Sequence, residues 1–370
     1  MLLSCTPSRT AAPEPGAPAR NAGSGFAAPD DPALVYEGAW FAEIDGKGAR
    51  LLRHSAECRE DPDCIPEWLR KYGIHEQHAG ATIRFSTDAR RVSALFEESP
   101  VTPVEFRRFP YLRIGLEVDG TWRGQFDPAE RRTEGTNAIE LPSAGEGFHD
   151  YEIVLPHQLA LIFRGLELEG GSLRKPPEDG RPVLVAIGDS QSHGEGQLSA
   201  ADGYLWKLAK AKGWRLVNLA VGGTTIEPKM ARMNLPGRRC DVVVVEWGYN
   251  DWWSALFSLE AQTARFRETL AAVRELQPGA KIVVVSPFAT ETARGDSSAA
   301  DGLARDGSSI ADWRAMMKAA VDERAEAGDR NVLYVGGDEI SDVDDIDHRD
   351  GVHLTPEGAA RVAERLAARL

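Results

Sequence analysis

Short segments in which apolar and polar residues alternate dominate the first half of the chain. This period of two is typical of strands that bury one face. The segments lie at residues 81–86, 91–96, 111–118, 121–123, 150–155 and 159–168. Asp119-Gly120, between the third and fourth segments, is a strong hairpin signal. Because no helical periodicity separates the segments, residues 30–176 are predicted to form an all-β domain, either a sandwich or a jelly roll.

Other segments of this domain lack the alternation. Residues 98–110 and 127–149 are predicted loops. Residues 65–72 fit either one short helix or an extended strand that covers the sheet. Residues 177–182 combine prolines, a glycine and charged residues. This composition predicts an exposed linker at the end of the all-β domain.

From residue 183 to residue 370 the pattern changes to strands that alternate with helices. Apolar runs rich in β-branched residues begin at Val183, Leu216, Val242, Lys281 and Asn331. Helical segments are predicted at residues 203–211, 259–276, 310–327 and 356–370. Runs of this kind are buried on both faces of a parallel sheet. The alternation predicts a three-layer α/β/α sandwich around about five parallel strands.

Composition excludes some classes of function. The 370 residues are 42% hydrophobic and 27% charged, as in a globular protein, and the length favours two domains. A net charge of −14 argues against nucleic acid and anionic membrane surfaces as partners, whereas a neutral polysaccharide would not be repelled. No run approaches the roughly 20 apolar residues that span a bilayer, so no transmembrane segment is expected. The oligomeric state stays open.

The cysteines leave one question open. Cys58 and Cys64 enclose five residues, and a disulfide there is as plausible as two free thiols. Cys240 precedes an apolar strand and is most simply a small core residue. Without a CxxC pair a zinc site is not expected, and the acidic stretch 338–350 does not fit a calcium loop. No metal and no cofactor are therefore predicted.

The N-terminus resembles part of an export signal. Met1-Leu-Leu-Ser-Cys5 is similar to the end of a bacterial lipoprotein signal, but the charged region and the apolar core of such a signal are missing. Residues 1–29 are predicted to be a disordered tail or a tether. We expect an exported protein, periplasmic or extracellular, with a lipid anchor at Cys5 if the true start lies upstream.

Four stretches in the second half carry residues suited to catalysis. Gly188-Asp-Ser190 follows the first strand of the parallel sheet, where an open α/β sheet forms its ligand crevice. A serine on such a turn can act as a nucleophile. Gly222-Gly223 follows the second strand, Gly248-Tyr-Asn-Asp251 the third, and Asp350-Gly-Val-His353 precedes the last helix.

Together these stretches resemble the four signature blocks of the SGNH (GDSL-type) serine hydrolases, in order and spacing, over residues 181–370. The resemblance implies a flavodoxin-like α/β/α fold and Ser190 as nucleophile. It implies Asp350 and His353 as acid and base. It also implies an oxyanion hole made by the Ser190 and Gly223 amides and the Asn250 side chain.

The residues themselves support parts of this assignment. Thr355-Pro356 predicts a helix start, so His353 lies in the loop before the helix, where Asp350 can reach its imidazole. His348 is a rival base without that spacing to the helix. If the alignment of this stretch with the family's signature block is shifted by one residue, Gly222 instead of Gly223 is the oxyanion donor. Asp189 is predicted to hold the turn, and Asp251 to cap the following helix.

Several residues are candidates for the substrate side of the site. Trp247, Tyr249, Trp252 and Trp253 bracket Asn250, and at least one of them is expected to line an acyl or sugar pocket, although aromatic residues at such spacing are more often core. Tyr249 would narrow the acyl pocket and favour acetyl. His193, three residues after Ser190, is either a substrate contact or structural.

The order of a β-sandwich followed by a Gly-Asp-Ser domain also resembles carbohydrate esterase family two. This resemblance implies a serine esterase that removes small acyl groups, mainly O-acetyl, from an acylated carbohydrate. Two alternatives stay open. One is a lipase, lysophospholipase or thioesterase with the same machinery, and the other is a glycan-binding protein with an inert hydrolase domain.

Overall fold

Two antiparallel sheets and one parallel sheet organise the computed structural model, which describes residues 25–101, 113–126, 135–254, 257–291 and 306–370. Cys5 and residues 1–24 of the predicted tail lie outside the described residues. Residues 25–27 form a strand that pairs with residues 166–168, so the tail prediction is wrong at its C-terminal end. No helix within the described ranges is long and apolar enough to cross a membrane.

Twelve strands of the described residues form the two antiparallel sheets. They are β1 (Gly25–Ala27), β2 (Val35–Glu37), β3 (Glu43–Asp45), β4 (Gly48–Arg50), β5 (Thr82–Thr87), β6 (Arg91–Glu98), β7 (Ile114–Val118), β8 (Thr121–Phe126), β9 (Asn137–Leu141), β10 (His149–Val154), β11 (Leu161–Glu169) and β12 (Leu173–Arg174). One sheet has the order β3-β4-β11-β6-β9, with β1 also on β11. The other has the order β12-β5-β10-β7-β8, with β2 also on β5.

Inward-facing residues of both sheets share one apolar core. Phe85 stacks on Tyr151 across β5 and β10, with ring centroids 5.2 Å apart. Phe96 and Phe163 meet 5.5 Å apart in the opposite sheet. The prediction of an all-β unit ahead of an α/β unit is therefore confirmed.

Two local expectations in this half need comment. Strand β9 lies within residues 127–149, so the prediction of a loop over that whole range is wrong; the strand is only five residues long and pairs with β6. Residues 65–72 contain a helix, α2 (Glu67–Lys71), rather than a covering strand. A second short helix, α1 (Ala56–Glu60), precedes it, and the Cys58–Cys64 disulfide links α1 to the loop between the two helices.

The parallel sheet consists of β13 (Val183–Gly188), β14 (Arg215–Asn218), β15 (Val242–Glu246), β16 (Lys281–Val285) and β17 (Val332–Val335). Its order, β14-β13-β15-β16-β17, is the 2-1-3-4-5 order of flavodoxin-like folds. In such a sheet the ligand crevice opens at the carboxyl ends of the first and third strands, here β13 and β15.

Helices cover both faces of the parallel sheet. They are α3 (Ser190–His193), α4 (Tyr204–Lys212), α5 (Pro228–Asn234), α6 (Tyr249–Ser254), α7 (Leu259–Leu276), α8 (Ile310–Glu326), α9 (Gly337–Ile340) and α10 (Pro356–Ala367). Helices α4 and α10 pack with Leu184 and Val244 on one face, whereas α5, α7 and α8 pack with Val185 and Val243 on the other. The three-layer prediction is confirmed, and Cys240 is buried as expected.

Candidate active site

Ser190 stands at the carboxyl end of β13, on a turn that only glycine permits at its start. A side chain on Gly188 would collide with the carbonyl of Glu246. Asp189 caps α3, because its Oδ1 accepts a hydrogen bond from the Gln191 N–H at 3.2 Å. Ser190 is thus the first residue of a helix, where backbone N–H groups lack partners within the helix.

Two carboxyl groups are buried beneath this turn. Asp189 and Glu246 are both fully enclosed, and Ser192 Oγ donates to Glu246 Oε2 at 2.9 Å. Burial raises the pKa of Glu246 to about 7. Burial and the charge of Glu246 raise the pKa of Asp189 as well. Asp189 therefore has the structural position expected of it, behind the nucleophile rather than beside a substrate.

His353 and Asp350 complete a hydrogen-bonded chain that starts at Ser190. His353 Nε2 lies 2.9 Å from Ser190 Oγ, and His353 Nδ1 lies 2.9 Å from Asp350 Oδ2. Burial alone would lower the pKa of His353, but the hydrogen bond to Asp350 and the nearby charges of Glu195, Asp350 and Asp189 outweigh it and raise the pKa. An imidazole in this position can take a proton from the serine.

The loop that carries His353 is fixed by its own backbone. Asp350 Oδ1 accepts the N–H groups of Val352 at 2.8 Å and His353 at 2.9 Å. Burial would raise the pKa of Asp350, but these hydrogen bonds and the one from the His353 side chain lower it. Thr355 caps α10 with Pro356 at its first position, as predicted. His348, the rival base, points away and pairs with Glu291 at the surface.

Gly222 and Gly223 have different surroundings, which distinguishes the two registers of the oxyanion loop. The Gly222 N–H donates to His193 Nδ1 at 3.1 Å, so it already has a partner. Gly223 lines the open cavity and has φ of 83°, a conformation that favours glycine. A side chain there would lie 2.7 Å from the Trp68 ring. The Gly222 amide is thus occupied by His193, whereas Gly223 lines the cavity and remains the candidate for the oxyanion donor.

Asn250 faces the same cavity from the start of α6, the helix that follows β15. Its side-chain Nδ2 donates one hydrogen bond to the Thr224 carbonyl at 2.9 Å. Because an amide nitrogen carries two hydrogens, one N–H is left for a substrate oxygen. The prediction that Asp251 caps the following helix is wrong. Asp251 is buried within the first turn of α6, and its carboxylate accepts the Ile226 N–H at 3.1 Å. It ties the oxyanion loop to α6 instead.

Two consecutive residues of the N-terminal half hold the strand that leads into the oxyanion loop. Arg53 Nη1 donates to the carbonyls of Asn218 at 2.5 Å and Ala220 at 2.8 Å. The ring of His54 bonds the intervening carbonyl of Leu219 at 2.9 Å. Both side chains are completely buried. The β-sandwich is therefore part of the framework of the site.

A cavity of about 470 Å³ opens over these groups. Its lining combines polar residues of the catalytic loops with apolar residues from both halves of the chain. The lining residues are Trp68, Leu69, Ile74, Ser190, Glu195, Gly222, Gly223, Tyr249, Asn250, Trp253, Asp350, Val352 and His353. Sequence reasoning missed the wall formed by Trp68, Leu69 and Ile74, and also Glu195. No local sequence pattern marks these residues, because the wall forms only where the two halves of the chain pack together.

The aromatic residues around Asn250 divide into two groups. Tyr249 and Trp253 line the cavity and stack with ring centroids 6.3 Å apart, and Trp253 is 41% exposed. Trp247 and Trp252 are completely buried in the core between the sheet and α8. The expectation of a substrate contact is wrong for these two, because their side chains pack in the apolar core and do not line the cavity.

His193 has a structural placement. It is fully buried, bonds the His157 carbonyl through Nε2 at 3.1 Å, and accepts the Gly222 N–H through Nδ1. Burial lowers its pKa, so the ring is neutral. His193 thus supports the oxyanion loop from behind instead of contacting substrate. Within the described ranges, no group of three or more His, Cys, Asp or Glu side chains could hold a metal ion.

Comparisons with known proteins bear on the family of the C-terminal half and on the fold. The sequence model of the GDSL-like lipase/acylhydrolase family matches residues 186–361. Among curated proteins, none matches the chain in sequence.

Solved structures share the fold of both halves. A salicylyl-acyltransferase from a tetracycline biosynthetic pathway is 20% identical, with a TM-score of 0.75 over 94% of this chain and 96% of that one. A family two carbohydrate esterase from Cellvibrio japonicus is 15% identical, with a TM-score of 0.65 over 94% and 97%. An acetyl xylan esterase from the rumen bacterium Butyrivibrio proteoclasticus is 14% identical, with a TM-score of 0.56 over 78% and 89%.

Proposed function

We propose a mechanism and a substrate class from one premise: residues 186–361 form a GDSL-like lipase/acylhydrolase domain, and the chain is a carboxylic ester hydrolase. Ser190 is the nucleophile, His353 the general base and acid, and Asp350 the carboxylate that orients the imidazole. The observation that carries this assignment is the unbroken chain of two 2.9 Å contacts from Ser190 Oγ through His353 to Asp350.

The reaction proceeds in two steps. Ser190 Oγ attacks the ester carbonyl while His353 Nε2 takes the hydroxyl proton, and His353 then returns that proton to the leaving alcohol. Water attacks the acyl-serine in the second step, giving up its proton to His353, and the acid leaves as Ser190 regains its hydrogen. Asp350 stabilises the imidazolium in both steps, since its lowered pKa keeps it ionised.

The tetrahedral intermediates carry negative charge on the carbonyl oxygen. We assign its stabilisation to the amides of Ser190 and Gly223 and to the free N–H of Asn250, all of which face the cavity. Preorganised donors of this kind are each worth roughly 10²–10³ in rate. The pairing of Gly222 with His193 supports Gly223 as the second donor.

We infer that the substrates are acylated carbohydrates and that the acyl groups removed are small, mainly O-acetyl. Trp68 and Trp253, 52% and 41% exposed, present aromatic faces at the cavity on which a sugar ring can stack. Tyr249 narrows the cavity beside Asn250. Two proteins that share the fold are a carbohydrate esterase and an acetyl xylan esterase.

A second candidate is an ester with a larger acyl group. The cavity volume of about 470 Å³ and its apolar wall of Trp68, Leu69 and Ile74 leave room beyond acetyl. The similar salicylyl-acyltransferase transfers an aromatic acyl group. A lipase or thioesterase specificity falls in this class.

We also propose that the protein is exported to the periplasm or the cell exterior. The Cys58–Cys64 disulfide supports this location, because such bonds form and persist in oxidising compartments.

Acetate release tests the proposed function. Purified protein is incubated with acetylated xylan, mannan, pectin and peptidoglycan, and with 4-nitrophenyl esters of increasing chain length. We expect acetate from at least one polysaccharide, a preference for acetyl among the 4-nitrophenyl esters, and no release by Ser190→Ala.

The alternatives give different results. A preference for long or aromatic acyl groups would support the second candidate. Glycan binding without ester turnover by the wild type would support an inert hydrolase domain and overturn the esterase.

A further inference from the structure

Glu195 places a carboxylate in the cavity that the mechanism above does not use. It follows α3, and its backbone N–H donates to the Ser190 carbonyl at 3.0 Å. Its side chain is 28% exposed and lines the cavity. The residue is thus fixed one helical turn beyond the nucleophile.

The carboxylate lines the cavity between the oxyanion loop and His353, and its charge helps to raise the pKa of His353. A side chain on Gly222 would lie 3.1 Å from Glu195 Oε1 and 3.6 Å from Ser190 Cβ, which bounds the separation of those two atoms at about 6.7 Å. A side chain on the next residue, Gly196, would lie 3.1 Å from His353 Cβ. Since His353 returns the proton to the leaving alcohol, groups beside it face the alcohol half of the ester.

The β-sandwich holds this carboxylate in place. Gln158 Nε2 donates to Glu195 Oε2, and the Gln158 carbonyl in turn accepts Gln77 Nε2 at 3.0 Å. Among the described residues, no donor reaches Glu195 Oε1. His193 Nδ1, 3.9 Å away, has no hydrogen to offer because it accepts the Gly222 N–H. One oxygen is therefore anchored and the other is turned to the cavity.

Burial raises the pKa of Glu195, against the opposing effects of His353 and of the Gln158 hydrogen bond. In its ionised form the carboxylate only accepts hydrogen bonds, so it needs a donor on the substrate. Without one, its negative charge near Ser190 would oppose the developing oxyanion. A hydroxyl group on the alcohol half supplies such a donor and makes a charge-assisted bond.

We propose that Glu195, held by Gln158, determines specificity by binding a hydroxyl group next to the ester oxygen of a polyol alcohol. This inference rests on the proposed esterase. It narrows the substrate class to partially acylated carbohydrates, in which a free hydroxyl lies beside each ester. Such substrates should be preferred over fully acylated carbohydrates and simple alkyl esters.

A matched pair of substrates tests the proposal. One is a mono-O-acetyl methyl xyloside with its other hydroxyls free, and the other is the same ester with those hydroxyls O-methylated. We expect wild-type kcat/KM to favour the free-hydroxyl ester by at least 10-fold. Glu195→Gln, which keeps the shape of the side chain, should lower that ratio by about 10- to 100-fold. Glu178→Gln, an exposed acid of the linker, should keep the wild-type ratio.

The outcomes separate this inference from the proposed function. A wild-type ratio near one, or an equal loss on both esters in Glu195→Gln, overturns the inference, since an equal loss indicates a purely structural role. Hydrolysis of 4-nitrophenyl acetate by the wild type is measured in parallel. If this hydrolysis is absent, the esterase assignment itself fails. If it is present and either of the two overturning results is found, only the role of Glu195 is rejected.

Discussion

At the scale of single residues, the catalytic proposal depends on the coupling of His353 to Asp350. Only neutral imidazole can accept the Ser190 proton. The pKa of His353 is raised above its ordinary value of 6.5. The kcat/KM of the wild type should therefore rise with pH through a pKa above 6.5 and fall on the acid side.

Replacing Asp350 with Asn tests this coupling. Asn removes the negative charge that raises the His353 pKa and favours the wrong tautomer of the ring. We expect kcat to fall by about 10³–10⁴ and the acid limb of the pH profile to move to lower pH. Hydrolysis of 4-nitrophenyl acetate between pH 5 and pH 9 measures both.

The same loop provides a control for this substitution. Asp347 pairs with Arg349 and does not touch His353 with its side chain, so Asp347→Asn should keep the wild-type profile. An unchanged kcat and an unchanged profile in Asp350→Asn would contradict the role given to Asp350.

Residues within one local motif were predictable from the sequence. Ser190 ends an apolar strand, and His353 and Asp350 share a turn before a helix start, so short-range patterns place them. Glu195 and Trp68 were not predictable. Their importance depends on how the two halves pack, which no local pattern records.

At the scale of elements, the segment of residues 53–54 fixes the strand that leads to the oxyanion loop. Arg53 gives three hydrogen bonds to carbonyls, the third to Gln77 at 2.6 Å, and it has no carboxylate partner among the described residues. The guanidinium fork spans carbonyls of both halves at once, and a lysine ammonium has no such fork.

We expect Arg53→Lys to slow the turnover of the substrate 4-nitrophenyl acetate by about 10-fold or more, with a smaller change in KM, because the oxyanion amides lose their alignment. The matched control is Arg50→Lys, which disturbs the ion pairs with Glu43 and Glu76 within the β-sandwich only. Thermal melts followed by circular dichroism confirm that both variants are folded. A lowered melting temperature with normal turnover in Arg53→Lys would show that Arg53 only stabilises the fold.

Elements were predictable where their pattern is long. The helix over residues 259–276 has the ends that its pattern predicts, and the five strands of the parallel sheet are each recognisable as apolar runs. Strands β1 to β4 have three residues each, too few to show a period of two. Strand β9 escapes prediction for a similar reason, within a polar stretch.

At the scale of the whole molecule, the contact between the two halves buries histidines that must stay neutral. His54, His157 and His193 are all at most 1% exposed. Burial lowers the pKa of His157 to about 3 and that of His54, with the nearby Arg53 charge, also to about 3. Neither ring nitrogen of His157 has a hydrogen-bond partner in the described residues.

Because His157 is buried in its neutral form, we expect it to lower the free energy of unfolding at acidic pH. Above pH 6.5 the ring is neutral in both states. Below it the unfolded chain binds a proton that the folded state does not, so the folded state loses stability as pH falls toward about 3. We expect His157→Phe to stabilise the protein relative to wild type by about 2 kcal/mol more at pH 5 than at pH 8.

Urea unfolding of both proteins at pH 5 and pH 8 measures this difference. The measurement at pH 8 serves as the internal control for packing effects of the new ring. A difference in unfolding free energy that does not change with pH would mean that His157 is protonated, or exposed, in the folded protein.

The most direct test of the central claim is covalent labelling of the nucleophile. The protein is incubated with a 4-nitrophenyl phosphonate ester, and peptide fragmentation locates the modified residue. The account predicts one phosphonyl group on Ser190, none on neighbouring Ser192, no labelling of Ser190→Ala, and labelling slowed by several orders of magnitude in His353→Ala. Labelling of Ser190→Ala at the wild-type rate, or modification of a different serine in the wild type, would contradict it.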